Sequence, residues 1–465
     1  MKKYISILIL AIVFSSCEDQ LDRTPNDSLV DETAFETLAD LEAGLNGVMG
    51  GFTQFDIIRF NSLFTDNVRV GKDSGGQGLG LFNNILDAQN NSGGIWGSRY
   101  QMANRANRVL AASELINLEE GEQDEFDLIL GRTYALRAYA HYELLNYYGQ
   151  DPTDPSALGV PYQNSVETTD TPSRPTTEET VELIKADLDL AEGLIPSGAT
   201  DINFPTLDFV TFTRARLALA TQDWEDLITF TSELIAKYDL ANQEQYVNMF
   251  DGEDTTEVIY QRNAVLGSNP NYANIWIFTG TLGNFFEVSY ELFDLLDQEA
   301  LQNGDVRRFV NVGPEGVENE EYQIWKYPGS AGQFINSFKA MRISEAYLMR
   351  AEAYARSTTP DFQLAVNDVQ AVKNARRGSS GSASAYASLT EAIGDIAKER
   401  RLELCFEGHR YKDLGRYRNI LNEGLTRDPR DIEGGFNPGI PVNDSRWIFP
   451  IPISELNGNP NMEQN

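Results

Sequence analysis

The sequence predicts a mainly α-helical protein in which paired helices carry a loop-rich face with a few short strands. Three observations predict it. Apolar residues recur at three-to-four spacing in one segment after another, the pattern of helices that bury one side. Some of these segments come in pairs joined by only three or four residues. Three long Gly- and Asn-rich stretches interrupt them, at about Phe60 to Trp96, Asn248 to Phe286 and Asp305 to Phe334. Stretches of that length are not simple connectors in a compact domain and tend to carry function. The chain has 465 residues, 41% of them hydrophobic, which is ample for one large core.

Taken in order, the first element is a targeting segment. Lys2 and Lys3 precede a short apolar run, Ile5 to Phe14, that ends in Ser15-Ser16-Cys17. The run is too short to span a membrane as a helix. Residues 1–16 therefore read as a lipoprotein signal peptide, with Cys17 as the acylated residue. Glu18, Asp19 and Asp22 follow, resembling an acidic tag that exports lipoproteins to the cell surface. Residues 17–31 form a polar tether containing Pro25, Asn26 and Asp27. Residues 32–465 are expected to be one domain. The expected location is the outer membrane, lipid-anchored and facing the exterior.

Ala34 to Val48 carries Phe35, Leu38, Leu41 and Leu45 on one helical side. Tyr100 to Leu118 and Phe126 to Tyr148 are the next two helices. Thr176, followed by Glu178 and Glu179, is an N-cap with acid in the first turn, and its helix runs to about Leu194, before Pro196. Thr211 to Ala220 pairs with Trp224 to Tyr238, and Phe338 to Arg356 with Phe362 to Arg376. In the second pair Tyr347, Ala351, Tyr354 and Ala365 give a large-small-large pattern near tetratricopeptide positions, where small residues let two helices approach. Leu389 to Gly408 is the last helix, ended by Gly408. Short strands are expected at Glu257 to Gln261 and Ile275 to Thr279. From Gly424 onward the chain is Pro- and Gly-rich with little periodicity.

Composition narrows the chemistry. The formal net charge is -33, which repels phosphate backbones and makes nucleic acid a poor partner. The chain has two histidines, His141 and His409, and Cys405 besides Cys17. That disfavours His/Cys zinc sites and Cys-His or Ser-His nucleophiles. No P-loop or strand-anchored dinucleotide motif is present, and no metal or cofactor is expected. Carboxylates abound, but no pair is singled out as a glycosidase pair would be. In the charged run Glu399 to Leu414, Leu402, Cys405 and Phe406 mark an apolar side. The Arg and Glu residues are read as pairing across helical turns, and His409 as satisfying a backbone group. No catalytic residue is assigned.

That run, Glu399-Arg-Arg-Leu-Glu-Leu-Cys-Phe-Glu-Gly-His-Arg-Tyr-Lys-Asp-Leu, resembles the ERR-x-E-x-x-x-EG-x-R-x-x-DL run of SusD/RagB proteins, with Cys405 where a small apolar residue is more usual. Three further motifs are similar to that family's. They are Arg342-Ile-Ser-Glu-Ala-Tyr-Leu-Met-Arg-Ala-Glu-Ala-Tyr, Ala135-Leu-Arg-Ala-Tyr-Ala-His-Tyr-Glu-Leu-Leu-Asn-Tyr-Tyr-Gly, and the close of the chain from Phe449-Pro-Ile-Pro to Gln464-Asn465. The departures are Gln150-Asp151-Pro152 after Gly149, where Gly-Asp-x-Pro is commoner, and a shorter chain. The resemblance implies about four tetratricopeptide-like helix pairs under a loop-rich ligand face. It implies a non-catalytic lipoprotein that captures oligosaccharide or peptide and hands it to a SusC-like TonB-dependent transporter. Two competing functions are a surface glycan hydrolase and a tetratricopeptide scaffold that binds only protein.

The four motifs are scaffold, so ligand residues are sought by chemistry. Sugar rings stack their C–H sides on aromatic planes and need amide, carboxylate or guanidinium partners for their hydroxyls. Tyr272, Asn274 and Trp276, followed by Phe285 and Phe286, interleave such groups. Phe64, Asp66, Asn67 and Arg69 offer them in the first stretch, and Trp325 and Tyr327 in the third. Trp96, Tyr100, Trp224 and Trp447 read as packing residues.

Overall fold

The computed structural model describes residues 35–167, 169–263, 271–278, 283–313, 320–327, 336–432 and 439–465. The targeting segment, Cys17 and the tether lie outside the described residues. The described elements are, in order, α1 (Leu38–Gly51), α2 (Phe55–Phe64), β1 (Val68–Val70), α3 (Leu79–Phe82), α4 (Gly93–Ser113), α5 (Gln123–Tyr148), α6 (Thr177–Leu194), α7 (Leu207–Thr221), α8 (Trp224–Ile235) and α9 (Gln243–Asp251). They continue with β2 (Val258–Arg262), β3 (Ile277–Phe278), β4 (Gly283–Asn284), β5 (Phe286–Val288), α10 (Tyr290–Asn303) and α11 (Arg307–Asn311). Last come β6 (Phe338–Arg342), α12 (Ile343–Arg356), α13 (Phe362–Arg377), α14 (Leu389–Leu404), α15 (Arg410–Leu421) and α16 (Ile453–Gly458). No described helix is long and apolar enough to cross a membrane.

Helix starts follow local chemistry. Thr37, Thr176 and Asn242 each accept a hydrogen bond from the third helical N–H, and Asp40, Glu179 and Gln245 reach back to the cap N–H, three reciprocal capping boxes. Thr206, Asp223, Ser289, Asp361 and Ser388 cap α7, α8, α10, α13 and α14. Neighbouring helices then pack in sequence, α4 on α5, α5 on α6, α7 on α8, α12 on α13 and α14 on α15. Helix α12 is the hub, touching α7, α8, α13 and α14. Ala346, Ala351, Ala353 and Ala355 of α12 are buried, and their small size lets four helices approach one axis. One large apolar cluster runs from α1 to Ile451, with two smaller ones under α12–α15 and under α9.

Several expected elements are corrected. Phe338–Arg342 is not the first turn of a helix. It is β6, antiparallel to β2, buried along its whole length, and Arg342 is extended just before α12 begins. A five-residue buried run has no periodicity that separates strand from helix. The first long stretch is not a loop throughout, since α2, β1, α3 and the start of α4 lie in it. The stretch after Gly424 holds α16. Helix α14 stops at Leu404 rather than at Gly408. Phe406 turns the chain at φ 65° and Gly408 at φ 96°. A Cβ on Gly408 would meet Ile57 Cγ2 at 2.9 Å, so only glycine fits that turn.

His141 is enclosed in α5. Its Nδ1–H donates to the Arg137 carbonyl (2.9 Å), and its Nε2 accepts from the Gln163 N–H (3.0 Å). Those partners fix the neutral ring, and burial pushes its pKa down to about 4 despite the carbonyl that favours the charged form. The folded value lies below the unfolded one, so the stability is full above pH 6.5 and is lost as pH falls toward 4. About 3 kcal/mol is at stake at the low end. Urea unfolding between pH 7 and pH 4 is expected to show a shallower loss for His141→Gln than for the parent; equal slopes would assign the acid loss to other groups.

Candidate functional site

Hairpin β3–β4 and the ribbon beside it form the described part of the loop-rich face. Ile277 pairs with Asn284 and Phe278 with Gly283. The Phe285 and Phe286 N–H groups both donate to the Trp276 carbonyl (2.8 and 3.1 Å), so the hairpin runs straight into β5. β5 is antiparallel to β1, with Arg69 opposite Glu287. On its other side Glu287 bridges Gln323, and Ile324 in turn bridges Val312. Backbone thus ties three separate stretches of sequence into one surface.

The expected ligand residues divide sharply on that surface. Trp276 is 1% exposed and stacks on Tyr327 at 6.1 Å, with Phe406 edge-on at 5.5 Å. Tyr272 is buried among Phe55, Tyr327 and Phe338, its hydroxyl accepts from the Gln54 N–H, and burial pushes its pKa up to about 12. Neither ring offers a plane to solvent here, because the helical core closes over both. Phe64 is likewise interior, stacked on Phe60 and edge-on to Tyr411. Phe286 and Tyr327 are buried too.

Asp66 and Asn67 are turned inward onto the carboxy-terminal helices. Arg410 clasps Asp66 through two hydrogen bonds of 2.6 and 2.8 Å, Arg401 stands 3.3 Å from the same carboxylate, and Arg401 Nε donates to Asn67 Oδ1 (2.9 Å). Burial alone would raise the Asp66 pKa, but the two guanidiniums outweigh it and hold the carboxyl well below the usual range. Arg69 is also committed. It pairs with Glu287 at 2.6 Å and lies over the rings of Tyr290 (4.1 Å) and Tyr322 (5.0 Å).

Four residues of this face reach solvent to some degree. Asn274 is exposed, Phe285 and Trp325 are half-buried, and Phe278 is 52% exposed. Phe278 and Phe285 lie 6.2 Å apart, centroid to centroid. Phe278 was missed by sequence reasoning. Its signal was the alternation of buried Ile277 with exposed Phe278 in a strand of only two residues. The two rings can present apolar planes of the kind on which a sugar ring stacks.

The motif residues lie elsewhere, in a buried ionic cluster. Glu403 accepts from Arg376 (2.9 and 3.0 Å) and Arg342 (2.8 Å), with Arg307 at 3.5 Å. Glu407 pairs with Arg342 and Lys326, Glu257 with Arg342 and Arg376, and Arg307 with Asp305 and Glu399. The expectation of pairing across turns of one helix is corrected, because Glu403 finds every guanidinium partner on another element. His409 is corrected as well: its Nδ1 faces the Glu345 carboxylate at 3.8 Å rather than a backbone group. Trp96 and Trp447 are buried, and Trp224 carries Arg356 over its ring at 4.5 Å. Among the described residues no group of His, Cys, Asp and Glu is placed to hold a metal ion.

Two family models match the chain, one described as the SusD family over residues 303–465 and one as "Starch-binding associating with outer membrane" over residues 20–207. SusD-like protein P38 of Formosa agariphila is 23% identical, covering 99% of this chain and 97% of its own length. SusD-like protein P2 of the same organism is 24% identical, covering 100% and 99%. A SusD superfamily protein of Bacteroides thetaiotaomicron superposes with a TM-score of 0.76 at 20% identity, over 92% of this chain and 99% of that one. Surface glycan-binding protein A of the same bacterium, solved with laminarihexaose, superposes with a TM-score of 0.69 at 18% identity, over 92% and 99%. Family models at both ends, relatives aligned end to end, and a shared helical fold place the chain in the SusD/RagB family.

Proposed function

We propose that this protein is a cell-surface glycan-binding lipoprotein. Cys17 anchors it to the outer membrane, the hairpin face captures oligosaccharide, and a SusC-like TonB-dependent transporter receives it without hydrolysis. The observation that carries the reading is the neighbouring pair of exposed Phe278 and half-buried Phe285 on the hairpin ribbon. The laminarihexaose complex of a structural neighbour and the outer-membrane wording of a matching family model support the ligand class and the location. Arg69, held over two rings, stiffens the ribbon rather than touching sugar, and Asp66, Asn67, Tyr272 and Trp276 support it from within.

Titration of the full-length protein in detergent against a panel of neutral oligosaccharides, laminarihexaose among them, tests this. Saturable binding is expected, with no shorter products on chromatography. Phe285→Ala is expected to weaken it about tenfold, equivalent to about 1.4 kcal/mol. Appearance of shorter sugars would instead establish the hydrolase reading. Capture of a barrel partner from an outer-membrane extract, with no sugar bound, would establish the protein scaffold reading.

A further inference from the structure

A well-formed cavity lies away from the hairpin patch. It is a polar cleft of about 430 Å³, walled by α5, α7, α12 and α15, with Arg400 of α14 in its lining. That volume is in the range of small-molecule sites. We propose that this cleft binds a small organic anion, a carboxylate or sulfate group on a body of sugar-ring size, held by Arg400, Lys412 and Arg418.

The argument is one of charge pairing. The cleft's carboxylates are nearly all taken. Glu143 pairs with Arg99, Glu345 with Arg216 at 2.7 Å, Glu407 with Arg342 and Lys326, and Asp413 with Arg400 at 3.0 Å and Arg416 at 2.8 Å. Arg356 and Arg416 share Glu352. Lys412 and Arg418 are left with no carboxylate within ion-pair distance among the described residues. Lys412 rests over the rings of Tyr147 (4.8 Å) and Tyr411 (5.4 Å), and Arg418 donates to the Val442 and Gly415 carbonyls. Burial, with Arg416 and Arg418 adding to it, pushes the Lys412 pKa down to about 7.

Arg400 supplies an independent observation. It is 2% exposed, one Nη is used by Asp413, and its Nε and other Nη have no hydrogen-bond partner among the described residues. Orphaned guanidinium N–H groups at this depth are costly, and an anion oxygen accepting from one of them would satisfy it. In a chain of net charge -33, a recess whose unpaired charges are positive apart from Asp151 selects anions from a surface that otherwise repels them. Tyr142, Tyr147 and Trp447 supply apolar wall for the body of the ligand. Asp151, the lining carboxylate with no cation at ion-pair distance among the described residues, caps its own turn by accepting from Thr153 and sits where it would oppose an anion.

Glucuronate and glucose differ at C6 by carboxylate against hydroxymethyl, which makes them the probe and its control. Isothermal titration of the full-length protein in detergent is expected to show one saturable glucuronate site, weakened by added salt, and none for glucose. Sodium sulfate is expected to compete. Lys412→Met and Arg418→Gln should each lower glucuronate affinity at least about tenfold, and the Lys412→Met unfolding midpoint should be no lower than the parent's, since it removes a buried charge with no carboxylate partner. Asp151→Asn should raise affinity, and Phe285→Ala should leave it unchanged, which separates this site from the hairpin patch. Absence of saturable binding by both glucuronate and sulfate, or binding that survives Lys412→Met unchanged, would overturn the assignment.

Discussion

Glu403→Gln is expected to lower the free energy of unfolding by about 3–5 kcal/mol, read as a lower urea midpoint at an unchanged denaturant slope. Glu403 is fully buried and faces three arginines on three different elements, Arg307 in α11, Arg342 at the end of β6 and Arg376 in α13. Those side chains are 0–1% exposed, so bulk water does not screen them. Of their other carboxylates, Glu257 and Glu407 are already shared with a second cation, while Asp305 and Glu399 pair with Arg307 alone. Glutamine keeps the shape and the hydrogen-bond acceptor but removes the charge, so the cost measures the uncompensated guanidiniums. The exposed pair Lys237–Glu233 is the control, since breaking it should change stability by under about 1 kcal/mol. The parent should also lose stability in acid. Burial raises the pKa of Glu403 and Glu407, but the surrounding cations outweigh it and hold both below the ordinary 4.5. Their contribution is therefore present above pH 4.5 and lost as the pH falls through the folded values. The Glu403→Gln protein should show a shallower acid limb. A loss under about 1 kcal/mol would mean that the neighbouring carboxylates alone neutralise the three arginines.

The same cluster explains what could be read from the sequence. Helices with one buried side, such as α6 and α13, show their apolar stripe and their caps in the sequence, and Thr176 with Glu179 announces its helix to the residue. Elements buried on all sides do not. α2 is buried at Ile57, Ile58 and Phe60 through Phe64, polar Asn61 and Ser62 included, and β6 along all five residues, Lys339 and Arg342 included, so residue polarity does not mark a solvent side in either. The Glu/Arg run was legible as scaffold but not as a hub, because its partners Arg307, Arg342 and Arg376 stand more than 25 residues away in the chain. The ligand residues were harder still. Aromatic type and amide neighbours do not tell which side of a ribbon faces water. Trp276 and Phe278 are two residues apart and so would point the same way in a regular strand, yet the turn at Trp276 puts one in the core and the other outside.

That divergence makes Trp276→Ala and Phe278→Ala a decisive pair. Trp276→Ala is expected to destabilise the fold by about 3–5 kcal/mol, because it empties a site bounded by Tyr327 and Phe406 at the turn between α14 and α15. Its indole N–H has no partner among the described residues, so Trp276→Phe should cost much less, losing part of the ring volume but also removing a buried unsatisfied donor. Phe278→Ala removes a ring that is 52% exposed and should cost the fold under about 1 kcal/mol. On oligosaccharide binding the order reverses. Phe278→Ala should reduce affinity about tenfold with the unfolding midpoint intact, while Trp276→Phe, still folded, should bind as the parent does. Stability and affinity measured on the same three proteins decide the matter. If Trp276→Phe alone abolished binding at full stability, the sugar would have to reach the indole, which requires the hairpin to open; if Phe278→Ala bound normally, the ligand would dock away from the hairpin altogether.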